Sequence, residues 1–436
     1  MEEYLKTLLE QIRCKKARNV VEEEIRGHLE EQIEEYQMAG MDPKEAEKAA
    51  VLDMGDPVQT GISLDGIHRP RISWKLVILI GVISLLSILI QTVIGISQDP
   101  AGGLDSGLHH GLYVLVGFAL MIFIYRLDYS FLGRNVVWVA LGFFLVLLIL
   151  RNLAIPVNGS YGWTFIGGVR ISLRALLYLW PPLYGALLYK YYGRGYKGIV
   201  KSFLWILFPA CYAWGLPDIA LAFLIFFISM ILLSMAVFQG WFQVKRGRTL
   251  AVVWSVVIFL PALELIWGVA FHGFAEYQIA RLETYLRGEN KAVSMLAGSR
   301  WLGKGMEPDL AKSIEYNSDY ILSYLSSYYG ILAAFLMAAL VLGLILAGIK
   351  TAGKGKNRLG RMIGFASGLS LLLPAGINIL VNLGLFPEVN TFLPFLSKGN
   401  SYLLVSYVLL GLILSVYRYK NILSGKACRR IRPAVK

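Results

Sequence analysis

A single acid in this chain stands where a polar segment meets a long apolar run, and this position makes it the first candidate for chemistry. Asp319 follows Asn317 and Ser318 and precedes an apolar stretch that begins at Tyr320. A carboxylate at such a junction can take a proton from an attacking hydroxyl group as a general base, or it can bind a metal ion. The same residue types before an apolar run are also typical of a helix cap. The sequence alone leaves both interpretations open.

Positive charges that could stabilise an anionic leaving group lie in two places. A group transfer that releases a pyrophosphate needs cations around the departing group. The loop before Asp319 supplies Arg281, Arg300, Lys304 and Lys312. Arg170 and Arg174 lie at the outer end of a predicted span, where positive charge is unusual in membrane proteins. These two arginines could bind a diphosphate or an anionic lipid headgroup, or they could simply extend their charged ends to the membrane interface.

Other polar positions occur at the ends of apolar runs. Asp218 follows Pro217 at the start of a predicted span, and stabilisation of the helix start is the favoured interpretation. The alternative is an acid that faces a cavity, because acids near membrane depth are often functional. The segment 393–401, which contains Ser397 and Ser401, forms a second polar-to-apolar junction. The sequence contains no phosphate loop, nucleotide fingerprint, nucleophile elbow or zinc motif.

The composition indicates a membrane protein. Of the 436 residues, 56% are hydrophobic and only 16% are charged, and the mean hydropathy is +0.57. A soluble domain of this length does not need so much apolar surface. The net charge of +13 does not predict a nucleic-acid partner, because Lys and Arg cluster in short loops between apolar runs. The three cysteines are widely separated and are interpreted as free thiols.

The apolar pattern predicts an all-α polytopic membrane protein with ten spans. These lie near residues 74–96, 108–125, 133–151, 172–192, 199–213, 217–239, 250–272, 321–349, 361–384 and 401–418. Lys and Arg are concentrated in every second junction, which predicts that both chain ends are cytoplasmic and that the long loop 273–320 lies outside. The predicted membrane domain covers residues 71–420, and a basic cytosolic tail covers 421–436.

Residues 1–70 are predicted to form a small cytosolic domain of three helices. The spacing of Leu5, Leu8 and Ile12 is helical, and a second helix is rich in Glu. The Asp-Pro pair at 42–43 predicts the start of the third helix, and the pair at 56–57 is interpreted as the exit from the domain. The segment resembles the prefix domain that precedes some bacterial permeases. Its Glu clusters are interpreted as a solvated helix face in preference to an acidic binding surface.

Several blocks, in order along residues 74–420, resemble the SEDS family of bacterial membrane proteins, the FtsW/RodA/SpoVE group. Residues 216–219 resemble its Pro-Asp-Leu-Gly motif, and residues 277–281 with 303–305 resemble the start of its large extracellular loop. Residues 318–321 resemble the Thr-Asp-Phe-Ile motif that carries its essential Asp. Residues 393–401 resemble its Pro-Phe-Ser-Tyr-Gly-Gly-Ser signature.

The resemblance implies a ten-helix peptidoglycan glycosyltransferase of the bacterial cytoplasmic membrane, active in cell division, elongation or sporulation. It implies that lipid II is polymerised at the outer face, with Asp319 as the general base or as a metal ligand. Substrate contacts would come from Arg281, Lys304, Arg170, Arg174, Ser397 and Ser401, and Asp218 and Gln278 are further polar candidates. It also implies a class B penicillin-binding transpeptidase as partner, contact with membrane lipids, and a divalent cation such as Mg²⁺ or Mn²⁺ as a possible cofactor.

The chain departs from the family pattern at positions that support activity. The family's Gln-Pro-Ser-Glu becomes Ser-Leu-Arg-Ala at residues 172–175, and the Glu-Glu after the essential Asp becomes Ser327-Tyr328. These losses motivate a second hypothesis, a non-catalytic membrane scaffold or regulator of cell-wall synthesis whose N-terminal domain docks a partner. Lipid transport is a third hypothesis. The hypotheses differ in whether Asp319 only caps a helix or meets cations from the region 152–174.

Overall fold

The computed structural model describes residues 1–98, 103–156, 161–216, 218–270, 276–288, 291–305 and 318–421. This part of the chain is almost entirely helical, which confirms the all-α prediction. Its two strands form one short antiparallel hairpin, β1 (Trp163–Ile166) and β2 (Val169–Ser172). The predicted basic tail lies outside the described residues except for Asn421.

The N-terminal domain has four helices, so the prediction of three was wrong. They are α1 (Glu2–Glu10), α2 (Lys15–Met38), α3 (Pro43–Asp53) and α4 (Pro57–His68). Asp42 caps α3, and Asp56 caps α4 by accepting from the backbone N–H groups of Val58 and Gln59. The second Asp-Pro pair therefore starts a helix in the same way as the first, and the chain leaves the domain only after His68.

The N-terminal domain contacts the membrane domain where the last membrane helix ends. Nζ of Lys16 lies 3.0 Å from Oδ2 of Asp128. The side-chain amide of Asn421 donates to the carbonyl oxygen of Ile67 at 3.0 Å. The backbone N–H of Arg71 donates to the carbonyl oxygen of Arg418 at 3.3 Å. These contacts fix the domain at one end of the helical bundle.

Eight described helices are long and apolar enough to cross a membrane. They are α5 (Trp74–Gln98), α6 (Gly103–Arg126), α7 (Ser130–Asn152), α11 (Ile219–Phe238), α12 (Arg246–Ala270), α16 (Ile331–Gly353), α17 (Arg358–Asn382) and α18 (Asn400–Arg418). Helices α11, α17 and α18 are the most buried, whereas α12 is mostly exposed. The bundle therefore has an inner group of spans and a peripheral one that presents apolar side chains outward.

The two remaining predicted spans are helical but differ from the other eight. The predicted span 172–192 is divided into α8 (Leu173–Leu177) and α9 (Trp180–Lys190), and most of α9 is buried inside the bundle. The predicted span 199–213 is α10 (Tyr196–Trp214), which contains Pro209. Pro181 and Pro182 start α9, and proline favours the first turn of a helix, which accounts for the division.

The predicted span 321–349 is also divided, into α15 (Ile321–Tyr329) and α16. The division falls at Gly330, whose φ of 98° is a left-handed conformation that side chains disfavour. A Cβ atom at this glycine would lie only 2.7 Å from the carbonyl oxygen of Trp301. The long loop before Asp319 is not irregular throughout, because it contains α13 (Glu276–Leu286) and α14 (Lys291–Ala297).

Candidate functional site

Four segments that are distant in the sequence meet at the end of the bundle opposite the N-terminal domain. They are the start of α8, the start of α11, the start of α15 and the segment 390–402 that leads into α18. Hydrogen bonds connect the segment 390–402 to each of the other three segments, and an ion pair connects the starts of α8 and α11. Most of the polar residues predicted from the sequence lie on these segments, so the structure brings them together in one region.

Arg174 and Asp218 form a buried ion pair at the centre of this region. Nε of Arg174 lies 3.0 Å from Oδ2 of Asp218, and the two side chains are 12% and 4% exposed. Asp218 also accepts from the backbone N–H of Leu221 and thereby caps α11, which agrees with the favoured interpretation of its sequence. The side chain of Asn390 donates to the same carboxylate at 3.4 Å.

The side chain of Arg174 is mostly buried and paired with Asp218, so the snorkelling interpretation is wrong for this residue. Its Nη2 atom also reaches the carbonyl oxygen of Leu216 at 3.4 Å. A Cβ atom at Gly162 would lie 3.1 Å from the guanidinium carbon, so the absence of a side chain there lets the hairpin pack closely on Arg174. The guanidinium group is therefore enclosed by protein and has a carboxylate partner.

Tyr402 links this ion pair to the second acid. Its ring stacks on Phe392 with centroids 4.6 Å apart and meets the ring of Tyr178 edge-on at 6.3 Å. Its hydroxyl group lies within electrostatic range of Arg174, Asp218 and Asp319. A partly buried aromatic group with a polar end is therefore near both the Arg174–Asp218 pair and Asp319.

Asp319 is held by its backbone rather than by a helix cap. Its carbonyl oxygen accepts from the side-chain amides of Asn378 at 3.0 Å and Asn382 at 2.8 Å. The N-cap of α15 is Tyr320, and the side chain of Tyr320 makes no capping hydrogen bond. The carboxylate itself accepts from the hydroxyl of Ser318 at 3.1 Å. The capping interpretation of Asp319 is therefore wrong, because two asparagines and not the α15 terminus fix this residue.

Ser397 and Ser401 make backbone contacts that join the segments of the site. The hydroxyl of Ser397 donates to the carbonyl oxygen of Ser318 at 2.7 Å and accepts from the backbone N–H of Leu393 at 2.8 Å. The hydroxyl of Ser401 accepts from the backbone N–H of Ser172 at 2.9 Å. Both serines thus shape the region by holding main-chain atoms.

The other predicted cations lie further toward the surface. The guanidinium of the exposed Arg170 lies 3.7 Å from the ring centroid of Trp163. Nζ of Lys304 lies 5.3 Å from the ring centroid of Tyr328. Arg281 lies on α13, and Gln278 belongs to the same helix, although its side chain is outside the described residues.

Neither of the two residues that hold Asp319 was predicted from the sequence to take part in the site. Asn378 and Asn382 are buried on α17 and lie four positions apart, so both face the same side of the helix. Asn382 also accepts from the backbone N–H of Ser323 at 2.9 Å, which ties α15 to α17. Two amides at this spacing inside an apolar helix are a signal for a buried polar contact, since polar groups at membrane depth need partners.

The described residues do not include a group of three or more His, Cys, Asp or Glu side chains suited to a metal ion. Asp319 could contribute one oxygen ligand, whereas Asp218 is already engaged by Arg174 and by the start of α11. Mg²⁺ commonly needs only one or two carboxylates when a substrate phosphate completes its coordination. A divalent cation therefore remains a prediction, with Asp319 as its protein ligand.

The chain is similar to known proteins over most of its length. The family model FTSW_RODA_SPOVE, described as "Cell cycle protein", matches residues 68–422. A probable peptidoglycan glycosyltransferase FtsW of Borreliella burgdorferi is 26% identical over 326 residues, which cover 70% of this chain and 84% of that protein. The corresponding protein of Thioalkalivibrio sulfidiphilus is 24% identical over 330 residues, covering 70% and 78% of the two chains.

Solved structures share the fold. A chain from a study of polymerization and crosslinking by a peptidoglycan synthase complex superposes with a TM-score of 0.62 at 20% identity, covering 80% of this chain and 98% of that one. The rod shape determining protein RodA of Thermus thermophilus gives a TM-score of 0.55 at 17% identity, covering 80% and 97%. The matched family region starts at the end of α4, so it leaves out nearly all of the N-terminal domain.

Proposed function

Because the chain belongs to the FtsW/RodA/SpoVE family of cell cycle proteins, we propose that it is a peptidoglycan glycosyltransferase that polymerises lipid II. The reaction takes place at the outer face of a bacterial cytoplasmic membrane, in cell division, elongation or sporulation. Its relatives in Borreliella and Thioalkalivibrio are named as probable peptidoglycan glycosyltransferases. The observation that carries the proposal is the placement of Asp319, whose backbone is fixed by Asn378 and Asn382 while its side chain caps no helix in the described structure.

The position of the site relative to the N-terminal domain supports the orientation. Helix α18 has 19 residues, which at 1.5 Å per residue is a length of about 28 Å, close to the hydrocarbon thickness of a bilayer. Ser401 in its first turn contacts the site, and Asn421 just after its last turn contacts the N-terminal domain. With the N-terminal domain and the basic loops in the cytoplasm, the site faces outward.

Asp319 acts on the attacking sugar hydroxyl, either as the general base or through a divalent cation that it binds. A positioned general base contributes about 10²–10⁴-fold to the rate of proton transfer. Its backbone contacts on α17 keep the carboxylate at one place in the site, and such fixed placement is what a general base requires.

The substrate diphosphate is bound by two kinds of cationic residue, one buried in an ion pair and the others nearer the surface. Arg174 is neutralised by Asp218, so it contributes directed N–H groups and the shape of the site more than net positive charge. Arg170 and Lys304 are exposed and lie over aromatic rings, from which they can turn toward an anionic group. Arg281 on α13 adds positive charge from the loop that precedes Asp319. We assign initial contact with the diphosphate to these three residues.

The partner of this chain is a class B penicillin-binding transpeptidase, which crosslinks the glycan strands that the chain makes. The support is the fold shared with a protein from a peptidoglycan synthase complex that coordinates polymerization and crosslinking. The exposed apolar surface of α12 contacts membrane lipids.

The experiment is polymerisation of purified lipid II by the full-length protein in lipid vesicles, alone and with a candidate transpeptidase. Wild type is expected to yield glycan chains. Asp319→Ala is expected to lose about 100-fold or more of that activity, because the group that handles the proton is gone. Asp105→Asn is the matched control, since Asp105 is an exposed acid in the first turn of α6.

Two outcomes would contradict the proposal. If Asp319→Ala polymerises lipid II as well as wild type, the carboxylate of Asp319 is not catalytic. If folded wild-type protein makes no product with or without the partner, the chain is a non-catalytic scaffold or regulator. In that second case, a vesicle assay that follows the movement of labelled lipid II between leaflets separates lipid transport from scaffolding.

A further inference from the structure

The turn formed by residues 393–397 lies inside the bundle and carries backbone strain. All five of its residues are buried. Phe395 has a φ of 70°, and it is the one non-glycine residue with a left-handed φ in the described part of the chain. Such a conformation costs free energy and persists only when the surrounding structure holds it in place.

Helix α5 supplies two of these contacts from the first membrane span. The hydroxyl of Ser87 donates to the carbonyl oxygen of Phe395. The side-chain amide of Gln91 donates to the carbonyl oxygen of Leu396 at 2.7 Å. Ser87 and Gln91 are 0% and 1% exposed and lie one turn apart on the same face of α5. Irregular backbone inside a membrane protein requires such partners, because no water is present to satisfy its carbonyl groups.

Helix α6 completes the arrangement through His110. Nε2 of His110 lies 2.7 Å from the hydroxyl oxygen of Ser87. Ser87 has one hydroxyl proton, and the carbonyl oxygen of Phe395 can only accept, so that proton is committed to Phe395. Nε2 of His110 must then carry a proton and donate it to Ser87. The three groups form a directed chain of donors, from His110 through Ser87 to the strained residue.

The turn is connected to the candidate catalytic acid by one further residue. Ser397, the last residue of the turn, accepts from the backbone N–H of Leu393 and donates to the carbonyl oxygen of Ser318. Ser318 is bonded to Asp319 covalently and also through its hydroxyl. A displacement of the turn therefore moves the hydrogen-bond partner of the residue before Asp319.

We propose that Ser87, Gln91 and His110 are positioning residues that hold the 393–397 turn and, through Ser397, fix the place of Asp319. Their effect on catalysis rests on the proposed glycosyltransferase function, whereas their effect on the turn does not. The first two membrane spans are then part of the support of the site, although no residue on them was predicted to take part in it.

Hydrogen–deuterium exchange on full-length protein in lipid nanodiscs tests the structural part without any substrate. In Ser87→Ala, the amides of Leu393, Phe395, Leu396 and Ser397 are expected to exchange about five- to tenfold faster, as for the loss of one neutral hydrogen bond. Ser87→Thr keeps the hydroxyl group and is expected to restore slow exchange. The matched control is Ser229→Ala, because the buried hydroxyl of Ser229 bonds only within its own helix, to Ile225.

Polymerisation kinetics test the second part. Ser87→Ala is expected to lower kcat severalfold with little change in KM, because substrate contacts remain while Asp319 is misplaced. Gln91→Leu, which removes the other donor and fills a similar volume, is expected to do the same. Ser87→Thr is expected to recover kcat, and Ser229→Ala to keep it. If Ser87 were merely structural, Ser87→Ala and Ser229→Ala would lower kcat by the same factor.

The possible results separate the two proposals. Unchanged exchange of the turn in both Ser87→Ala and Gln91→Leu overturns the positioning role, whatever the activity. If the variants exchange faster but keep the kcat of an active wild type, the turn does not position Asp319. This result also overturns the positioning role. An inactive wild type with faster exchange in the variants refutes the glycosyltransferase proposal and retains the hold on the turn.

Discussion

Two acids in this protein occupy similar places in the sequence and very different places in the structure. Asp218 and Asp319 each precede a long apolar run, and each could be interpreted as a helix cap. Asp218 does cap its helix, is 5% exposed, and shares its carboxylate with Arg174 and Asn390. Asp319 caps no helix in the described structure, and its main chain rather than its carboxylate receives the two amide hydrogen bonds. Asp218 uses its carboxylate to hold other protein groups, whereas the main chain of Asp319 is held by two amides on α17.

The largest expected loss of stability follows from removing the carboxylate of Asp218. Asp218→Ala leaves the buried guanidinium of Arg174 without its carboxylate, which costs about 3–5 kcal/mol of stability. Asp319→Ala is expected to cost less stability than Asp218→Ala, since the backbone contacts of residue 319 with α17 remain. Thermal unfolding of the purified proteins in detergent, followed by loss of the monodisperse peak, measures both.

The double variant Asp218→Leu with Arg174→Leu sharpens this result. Replacing a buried ion pair by apolar residues is often nearly neutral, so the double variant should be more stable than Asp218→Ala. Equal destabilisation by Asp218→Ala and Asp319→Ala would remove the distinction between the two acids.

The next effect concerns the residues that fix Asp319. Asn382→Ala removes the amide that donates to the carbonyl oxygen of Asp319 and the oxygen that accepts from Ser323. Buried groups left without partners cost about 1–3 kcal/mol, so stability and activity should fall together. Asn421→Ala is the control, because it removes an amide at the opposite end of the bundle. If Asn382→Ala loses stability but keeps full polymerisation activity, the backbone hold on Asp319 has no role in catalysis.

A smaller effect is expected at Ser318, whose hydroxyl donates to the Asp319 carboxylate. Ser318→Ala removes one hydrogen bond to a charged group, which contributes about 1.5–3 kcal/mol when fully buried and less at this half-buried position. We expect a severalfold loss of kcat with a small change in unfolding temperature. Ser255→Ala controls for the loss of a serine hydroxyl, because the hydroxyl of Ser255 bonds within its own helix, to the carbonyl oxygen of Ala251. A change in KM alone would place Ser318 on the substrate rather than on the acid.

The smallest effect on stability is expected at Arg170, the exposed counterpart of Arg174. Its contact with Trp163 is a cation–π interaction that contributes about 0.5–1 kcal/mol at exposed sites. Arg170→Ala should therefore unfold at nearly the wild-type temperature, while KM for lipid II rises because a diphosphate contact is lost. Arg170→Lys keeps the charge and should recover part of the affinity. A loss of stability as large as that of Asp218→Ala would show that Arg170 is structural as well.

Local sequence signals predicted some of this arrangement, and contacts between distant segments account for the rest. The Pro-Asp pair at 217–218 predicted a helix start, because capping depends on a few adjacent residues. The partners of Asp319 on α17 lie about 60 positions further along the chain, and no local pattern connects them. The pairing of Arg174 with Asp218 likewise depends on how α8 and α11 pack.

The division of predicted spans into two helices also depends on contacts that local sequence patterns do not reveal. Gly330 lies within a continuous apolar run, and hydropathy alone does not distinguish a helix from two helices that meet at a glycine. The close approach of Trp301 is what makes glycine necessary there. The helix α4 was missed for a different reason, because an Asp-Pro pair marks a helix start as readily as a chain exit.

The contact between Arg71 and Arg418 has a topological consequence. The chain enters its first membrane helix and leaves its last one at neighbouring points, joined there by a main-chain hydrogen bond. The path through the bundle is therefore nearly a closed circuit, and a short peptide could connect its two ends without reordering the helices. Proteins with adjacent ends commonly tolerate circular permutation, so the bundle could be opened at another surface loop and keep the same packing.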